Sequence, residues 1–189
     1  KKIIKMSENI IRTIGHHTCK YCHPAYAKAN APFKSDPSNG DAYLGQGFYF
    51  WDDNIEYARR WGQVHYDNHY TILGYDFELS GDQFLDLVGS RKDISYFHRL
   101  YDDIRKREQC KDFGISKCIK ILQIVEKEAP GVFPIKIIRA ADYNINKDSG
   151  TFFVAGKRGF TRLNPCYIIC FFDRNDIPLQ SAIIVDSVE

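Results

Sequence analysis

The sequence predicts an α+β fold, and the order of its segments leads to that class. Strand-like and helix-like segments alternate early, a helical block follows over 83–128, and several strands then come without helices between them. Late strands without intervening helices argue against a doubly wound parallel sheet. A chain of 189 residues can bury a sizeable core. We therefore predict one domain over 1–189, in which the helical block is an insert.

The early elements are predicted from periodicity, turn residues and helix caps. They are, in order, a strand over 9–18, a helix over 19–30, a loop over 31–41, a strand over 45–52, a helix ending at 62 and a strand over 70–82. Thr18 and the Asp53-Asn54 pair are the expected N-caps of the two helices. Pro24 lies near the beginning of the first helix or kinks it, and Gly62 ends the second.

The later elements follow from apolar spacing. Residues 83–128 repeat apolar side chains every three to four positions, which is typical of amphipathic helices. Four strands are then expected, over 131–140, 150–156, 165–172 and 181–188.

The composition excludes some classes of function. The formal net charge is only +2, so the chain as a whole is not a strongly basic nucleic-acid binder. No apolar run reaches the ~20 residues that a membrane helix needs, and the first 15 residues lack the apolar core of a signal peptide. We therefore expect a cytoplasmic protein that does not enter membranes, with its six cysteines reduced.

Two motifs carry the chemistry. A first strand ends in "GHHT" (15–18), and "LGQGFYFW" (44–51) follows about thirty residues later, directly before a helix. With 12 Tyr and 13 Phe the chain is rich in aromatic rings, on which flat ligands stack. A glycine lets the backbone approach a ligand closely, because it has no Cβ. The pair of motifs therefore favours a ligand pocket over an isolated bulged hairpin.

These motifs resemble those of the ADP-ribosyltransferase superfamily, on its diphtheria-toxin and poly-ADP-ribose-polymerase side. Its members carry His-Gly-Ser or His-Gly-Thr on an early strand and Gly-Lys-Gly-Ile-Tyr-Phe before a helix. "HHT" at 16–18 matches the first motif, and "GQGFYF" at 45–50 matches the second. The resemblance covers roughly residues 11–62. It implies a split, twisted antiparallel sheet with NAD bound as co-substrate in the cleft.

The resemblance also implies roles for individual residues. His16 would bind the nicotinamide-side ribose, and the main chain of His17 would hold the carboxamide. Thr18 would bind the same ligand or cap the helix. Tyr49 would stack on nicotinamide, while Gly45 and Gly47 would shape the entrance of the strand.

The family's third element is a glutamate on a late strand, and this chain departs from that pattern. Aligned on "IIVD" (183–186), the glutamate position falls on Ser181, beside Gln180, which can bind a ribose hydroxyl but cannot act as a base. Aligned on "NPCYIICFF" (164–172), it falls on Ile168. We take Gln180 as the third catalytic candidate, with Glu126 and Glu189 as alternative carboxylates.

Two functions remain open from the sequence. The first is a mono-ADP-ribosyltransferase that transfers ADP-ribose from NAD to an unknown acceptor, protein or nucleic acid, as a toxin, effector or defence factor. The second is an inactive module that binds NAD or ADP-ribose. A zinc site at Cys19-x-x-Cys22 is disfavoured, because Cys-x-x-Cys is only half of such a site, and no metal is expected.

Overall fold

The computed structural model describes residues 10–36, 42–108, 113–142, 151–153, 160–162 and 165–189. Its helices are α1 (Pro24–Asn30), α2 (Ile55–His65), α3 (Arg91–Glu108) and α4 (Ile115–Glu128). Its strands are β1 (Ile11–Lys20), β2 (Phe48–Asp52), β3 (Tyr70–Leu79), β4 (Phe84–Asp86), β5 (Ile137–Ala141), β6 (Thr151–Phe153), β7 (Phe160–Arg162), β8 (Tyr167–Phe171) and β9 (Ile183–Val188). The α+β class is therefore confirmed.

Seven strands form one sheet in the order β4-β5-β8-β2-β1-β3-β9, and β6 and β7 form a separate antiparallel pair. All pairs in the large sheet are antiparallel except β4 with β5, which is parallel. The expectation of a wholly antiparallel sheet was therefore wrong. The reason is the connection from β4 to β5, since it runs through α3 and α4 and is long enough for the crossover that parallel strands require.

The sheet is nearly divided between β1 and β2. The ladder between β1 and β3 has ten residue pairs, whereas the ladder between β1 and β2 has two, Gly15 with Asp52 and His16 with Trp51. Beyond His16 the two strands separate. Gly15 lies at the junction, where an added Cβ would come within 2.1 Å of the Phe77 ring.

Each face of the sheet has its own apolar core. The helical face buries Trp51, Ile168 and Cys170 of the sheet with side chains of α2, α3 and α4. The opposite face is filled mainly by aromatic rings, among which Phe50 contacts Phe77 edge-on with ring centroids 4.9 Å apart. The alternation of β2 therefore sends neighbouring aromatic residues into different cores.

A buried ionic network holds the junction of the two halves. Arg139 Nε donates to Asp52 Oδ2 at 2.6 Å, and Arg139 Nη1 lies 3.4 Å from Asp86 Oδ1. Thr13 Oγ1 of β1 donates to the other oxygen of Asp52 at 2.5 Å. The guanidinium also lies over the Tyr167 ring, 5.1 Å from its centroid. Both carboxylates are almost completely buried, and Arg139 supplies each of them with a cation that offsets the cost of burying its charge.

The predicted first helix was wrong in its beginning. Residues 19 and 20 continue β1 because they pair with β3, and α1 begins only at Pro24, where a proline is tolerated in the first turn. His23 caps this helix by accepting a hydrogen bond from Ala25 N, so Thr18 is not its cap. Residues 19 and 20 have a local helical pattern, but they form a strand because β3 supplies them with hydrogen-bond partners.

Other boundaries also differ. The Asn54 cap is confirmed, but α2 passes Gly62 and ends at His65. Gly62 lies inside the helix, where it packs closely against the Tyr70 ring. The block predicted as helical over 83–128 begins with the short strand β4, whose residues pair with β5. The predicted strand over 150–156 is described only at 151–153.

Candidate functional site

A cavity of about 480 Å³ lies where β1 and β2 separate. This volume is in the range of small-molecule sites. Aromatic side chains supply much of its wall: Tyr26, Phe33, Tyr49, Trp51, Trp61 and Tyr66. Such a wall suits a flat ligand that is buried on both faces.

Tyr49 is fixed in this wall by its own hydroxyl. The Tyr49 O–H donates to Gly45 O at 2.6 Å and accepts from Leu44 N at 3.2 Å. Gly45 has φ +94, a conformation that disfavours any residue with a Cβ. Burial raises the pKa of Tyr49 far above its usual range, so the phenol stays neutral. The ring is therefore held in place before a ligand arrives, and its hydroxyl is already occupied.

The His17 side chain connects the two halves across the separation. Its Nε2 accepts from Phe33 N at 3.1 Å, which requires that the proton is on Nδ1, 3.0 Å from Tyr49 O. Burial lowers the pKa of His17 to about 4. The ring is therefore neutral and fully used by main-chain partners, and it holds Phe33 against the cavity.

The loop that carries Phe33 is fastened at two further points. Arg174 donates to three consecutive main-chain oxygens, those of Asn30, Ala31 and Pro32, at 2.7 to 3.1 Å. Ser35 N donates to Gly47 O at 2.8 Å, and Gly47 N donates back to Ser35 Oγ at 3.0 Å. The loop thus forms a fixed second wall of the cavity.

His16 is buried behind this site. It pairs with Trp51 in the sheet, does not line the cavity, and its Nδ1 has no partner among the described residues. Burial lowers the pKa of His16, and the Trp51 main chain and then the nearby Asp53 partly offset this effect. The structure therefore does not bring His16 together with Tyr49 on the cavity surface.

The other residues of the two motifs have partners within the fold. Thr18 lines the cavity, and its hydroxyl donates to Ala58 O of α2 at 2.9 Å. Gly47 sits against β8, where an added Cβ would be 2.4 Å from Cys170 Sγ and 2.7 Å from Phe171 O. Gly47 therefore allows close packing against β8, whereas Gly45 allows the positive φ of a turn.

The candidates for the third catalytic residue differ in whether they line the cavity. Gln180 is exposed in a short 3-10 turn before β9, away from the cavity, whereas Ile168 of β8 lines it. Glu126 accepts from Gly131 N and Phe133 N and does not line the cavity, nor does Glu189. Of the two late strands considered, the one over 165–172 borders the cavity.

Two carboxylates among the described residues do line it, Asp36 and Asp142. Sequence reasoning missed both. Asp142 directly follows a predicted strand, which is a local signal, but the pairing that brings it to the cavity is not local. Lys20 and Lys34 also border the cavity and give it two cations.

The described cysteines are all free, and Cys110 lies outside the described residues. Cys19 and Cys22 lie side by side in the cavity wall, and burial raises the pKa of Cys19 to about 12. No group of three potential metal ligands occurs in the described part of the chain.

Comparison with known proteins leaves the site to be interpreted from its own geometry. No protein-family model, no curated protein and no solved structure matches the chain. Within the described ranges, no helix is long and apolar enough to cross a membrane.

Proposed function

We propose that the protein is an NAD-dependent mono-ADP-ribosyltransferase that binds NAD in the cavity between β1 and β2. The observation that carries this proposal is the fixed Tyr49 ring, which faces a cavity where the adjacent edge of β1 is no longer paired with β2. A flat aromatic amide can stack on the ring and form hydrogen bonds with the unpaired main chain beside it.

Each part of NAD has a matching feature. Nicotinamide would stack on Tyr49, and its carboxamide would pair with main-chain groups near His17 at the unpaired edge of β1. The diphosphate would lie near Lys20 and Lys34, whose ammonium groups are suitable partners for phosphate oxygens. The specific ADP-ribosyltransferase fold, with its split sheet, is part of the same proposal, and the narrow junction of β1 with β2 supports it.

In the proposed reaction, the bond between ribose C1′ and the nicotinamide nitrogen breaks, and its electron pair leaves with nicotinamide. The positive charge moves from the pyridinium ring to the ribose, which gains oxocarbenium character. A nucleophile of the acceptor then bonds to C1′ and loses its proton. We propose a protein or nucleic acid as acceptor, and a cytoplasmic toxin, effector or defence factor as the biological role.

A second function, an NAD-binding module without turnover, is favoured by one observation. Ile168 occupies the point where the late strand borders the cavity, so that strand supplies no carboxylate there. Such a module would use the same cavity and the same Tyr49 face.

Calorimetry with NAD and an assay of nicotinamide release test both functions. We expect the wild-type protein to bind NAD and release nicotinamide. Tyr49→Ala should weaken binding at least about fivefold, because an aromatic contact contributes about 1 kcal/mol beyond its buried area. Tyr49→Phe keeps the ring and loses only the hydroxyl anchor, so its affinity for NAD should lie between those of the wild type and Tyr49→Ala.

The histidines provide a matched comparison. His16→Ala tests the ribose contact that the family resemblance implies; because His16 does not line the cavity, we expect this variant to bind NAD as well as its control His98→Ala, in which an exposed histidine of α3 is removed. NAD binding without nicotinamide release, with acceptor mixtures present, would leave only the binding module. No binding of NAD would contradict both functions.

A further inference from the structure

Asp142 reaches the cavity wall through the pairing of β5 with β8. Ala140 is opposite Ile168 and Ala141 is opposite Tyr167 in this antiparallel pair. Asp142 N then donates to Cys166 O at 2.9 Å, so the ladder extends one residue beyond β5. Asp142 is therefore positioned by main-chain pairing.

The register also decides which face of the sheet this carboxylate occupies. Opposed residues of an antiparallel pair project to the same face, as do residues two apart along a strand. Asp142 thus shares a face with Ile168, which is opposite Trp51, and with Tyr49, which lies two residues before Trp51. All four line the cavity. The proposed nicotinamide platform and a carboxylate therefore border one cavity from one face.

A hydrogen bond fixes the end of β5 relative to the turn that anchors Tyr49. The Tyr43 hydroxyl donates to Ala141 O at 2.8 Å, and Tyr43 directly precedes Leu44 and Gly45. Asp142 also lies close to the Cys166 thiol, whose pKa is raised mainly by burial and further by the nearby Asp142.

The second cavity carboxylate, Asp36, belongs to a different wall. It ends the described part of the loop whose Phe33 contacts the His17 ring, and that ring packs beside Phe50 on the opposite face of the sheet. Asp36 therefore serves as a comparison for Asp142. It is also an aspartate in the cavity wall, but it does not share a face of the sheet with Tyr49.

We propose that Asp142 is the catalytic carboxylate of this site, supplied by the end of β5 where β8 offers only Ile168. The inference rests on the proposed function. The Asp142 carboxylate would stabilise the positive charge that develops on the ribose as the C1′–N bond breaks. With water as acceptor, a water oxygen bonds to C1′, the carboxylate accepts a water proton and later releases it to solvent, and the products are ADP-ribose and nicotinamide.

The test compares Asp142→Asn with Asp36→Asn, using NAD labelled in its nicotinamide ring and water as acceptor. Asn keeps the shape and removes the charge. We expect Asp142→Asn to bind NAD within about threefold of wild type and to release nicotinamide at least about 100-fold more slowly, the size of effect seen when one transition-state charge contact is lost. Asp36→Asn should slow nicotinamide release less than Asp142→Asn does, and Asp142→Glu should recover part of the rate that Asp142→Asn loses.

The outcomes separate this inference from the proposed function. Nicotinamide release by Asp142→Asn at the wild-type rate would overturn the role of Asp142 and leave the transferase activity standing. NAD binding by the wild type without release would overturn both. Far-UV circular dichroism and the NAD dissociation constant report whether each variant is folded, and Asp142→Ser replaces Asp142→Asn if that variant is not.

Discussion

Acidification is expected to destabilise this fold through His17, the buried ring that connects the two halves of the sheet. Its Nδ1 donates to the carbonyl oxygen of Tyr49, and its Nε2 accepts from the N–H of Phe33. Protonation would place a second donor against the Phe33 N–H and a positive charge in a buried site near Arg174. The folded protein therefore resists protonation of His17 until the pH approaches 4.

The size of the effect follows from the two pKa values of His17, about 4 when folded and 6.5 in the unfolded chain. Above pH 6.5 the ring is neutral in both states and stability is unaffected. Between pH 6.5 and 4 the unfolded state binds the proton first, so stability falls as the pH falls. The expected loss is about 2 kcal/mol at pH 5 and about 3 kcal/mol at pH 4, at 1.36 kcal/mol per pKa unit.

Urea unfolding followed by the fluorescence of Trp51 and Trp61 at several pH values measures this loss. His17→Gln is the reference protein, because Gln offers an amide donor and acceptor and does not titrate. From pH 8 to pH 5, the free energy of unfolding of the wild type should fall by about 2 kcal/mol relative to that of His17→Gln. His98→Gln, which removes an exposed histidine of α3, is the control variant. A difference that stays constant across this range would refute the assigned protonation state and the role of His17.

Three further substitutions test the fold around the cavity. Arg139→Met should lower the free energy of unfolding at pH 7 by about 3–5 kcal/mol, because it leaves buried Asp52 without its cation; chemical unfolding measures this. Gly47→Ala should cost about 2 kcal/mol or more, since its Cβ would meet Phe171 O at 2.7 Å. Gly45→Ala has open space for the Cβ but a positive φ, so it should cost only about 1–2 kcal/mol, seen as a smaller shift in thermal unfolding. Equal costs at Gly45 and Gly47 would contradict their different assignments.

Patterns within one element were predictable from the sequence. The strand with alternating aromatic residues at 48–51, the Asn54 cap and the helical spacing of α3 and α4 depend on neighbouring residues, and all three are present. The first helix was misplaced because β3, some fifty residues later, extends β1 to Lys20. Local propensity is a weak guide wherever a distant strand supplies hydrogen-bond partners.

The aromatic wall of the site was visible in the sequence, but the opposing groups were not. "GQGFYFW" identified Tyr49 and its glycines because a turn and an alternating strand are local features. The neutral, fully bonded state of His17 depends on Phe33 and on burial, which only the packed chain provides. The place of Asp142 depends on the register of β5 against β8, two strands separated by more than twenty residues. The sequence by itself thus determined the periodicity of the elements and one wall of the cavity. The tertiary structure decided which strands are neighbours, and hence which charges face that wall.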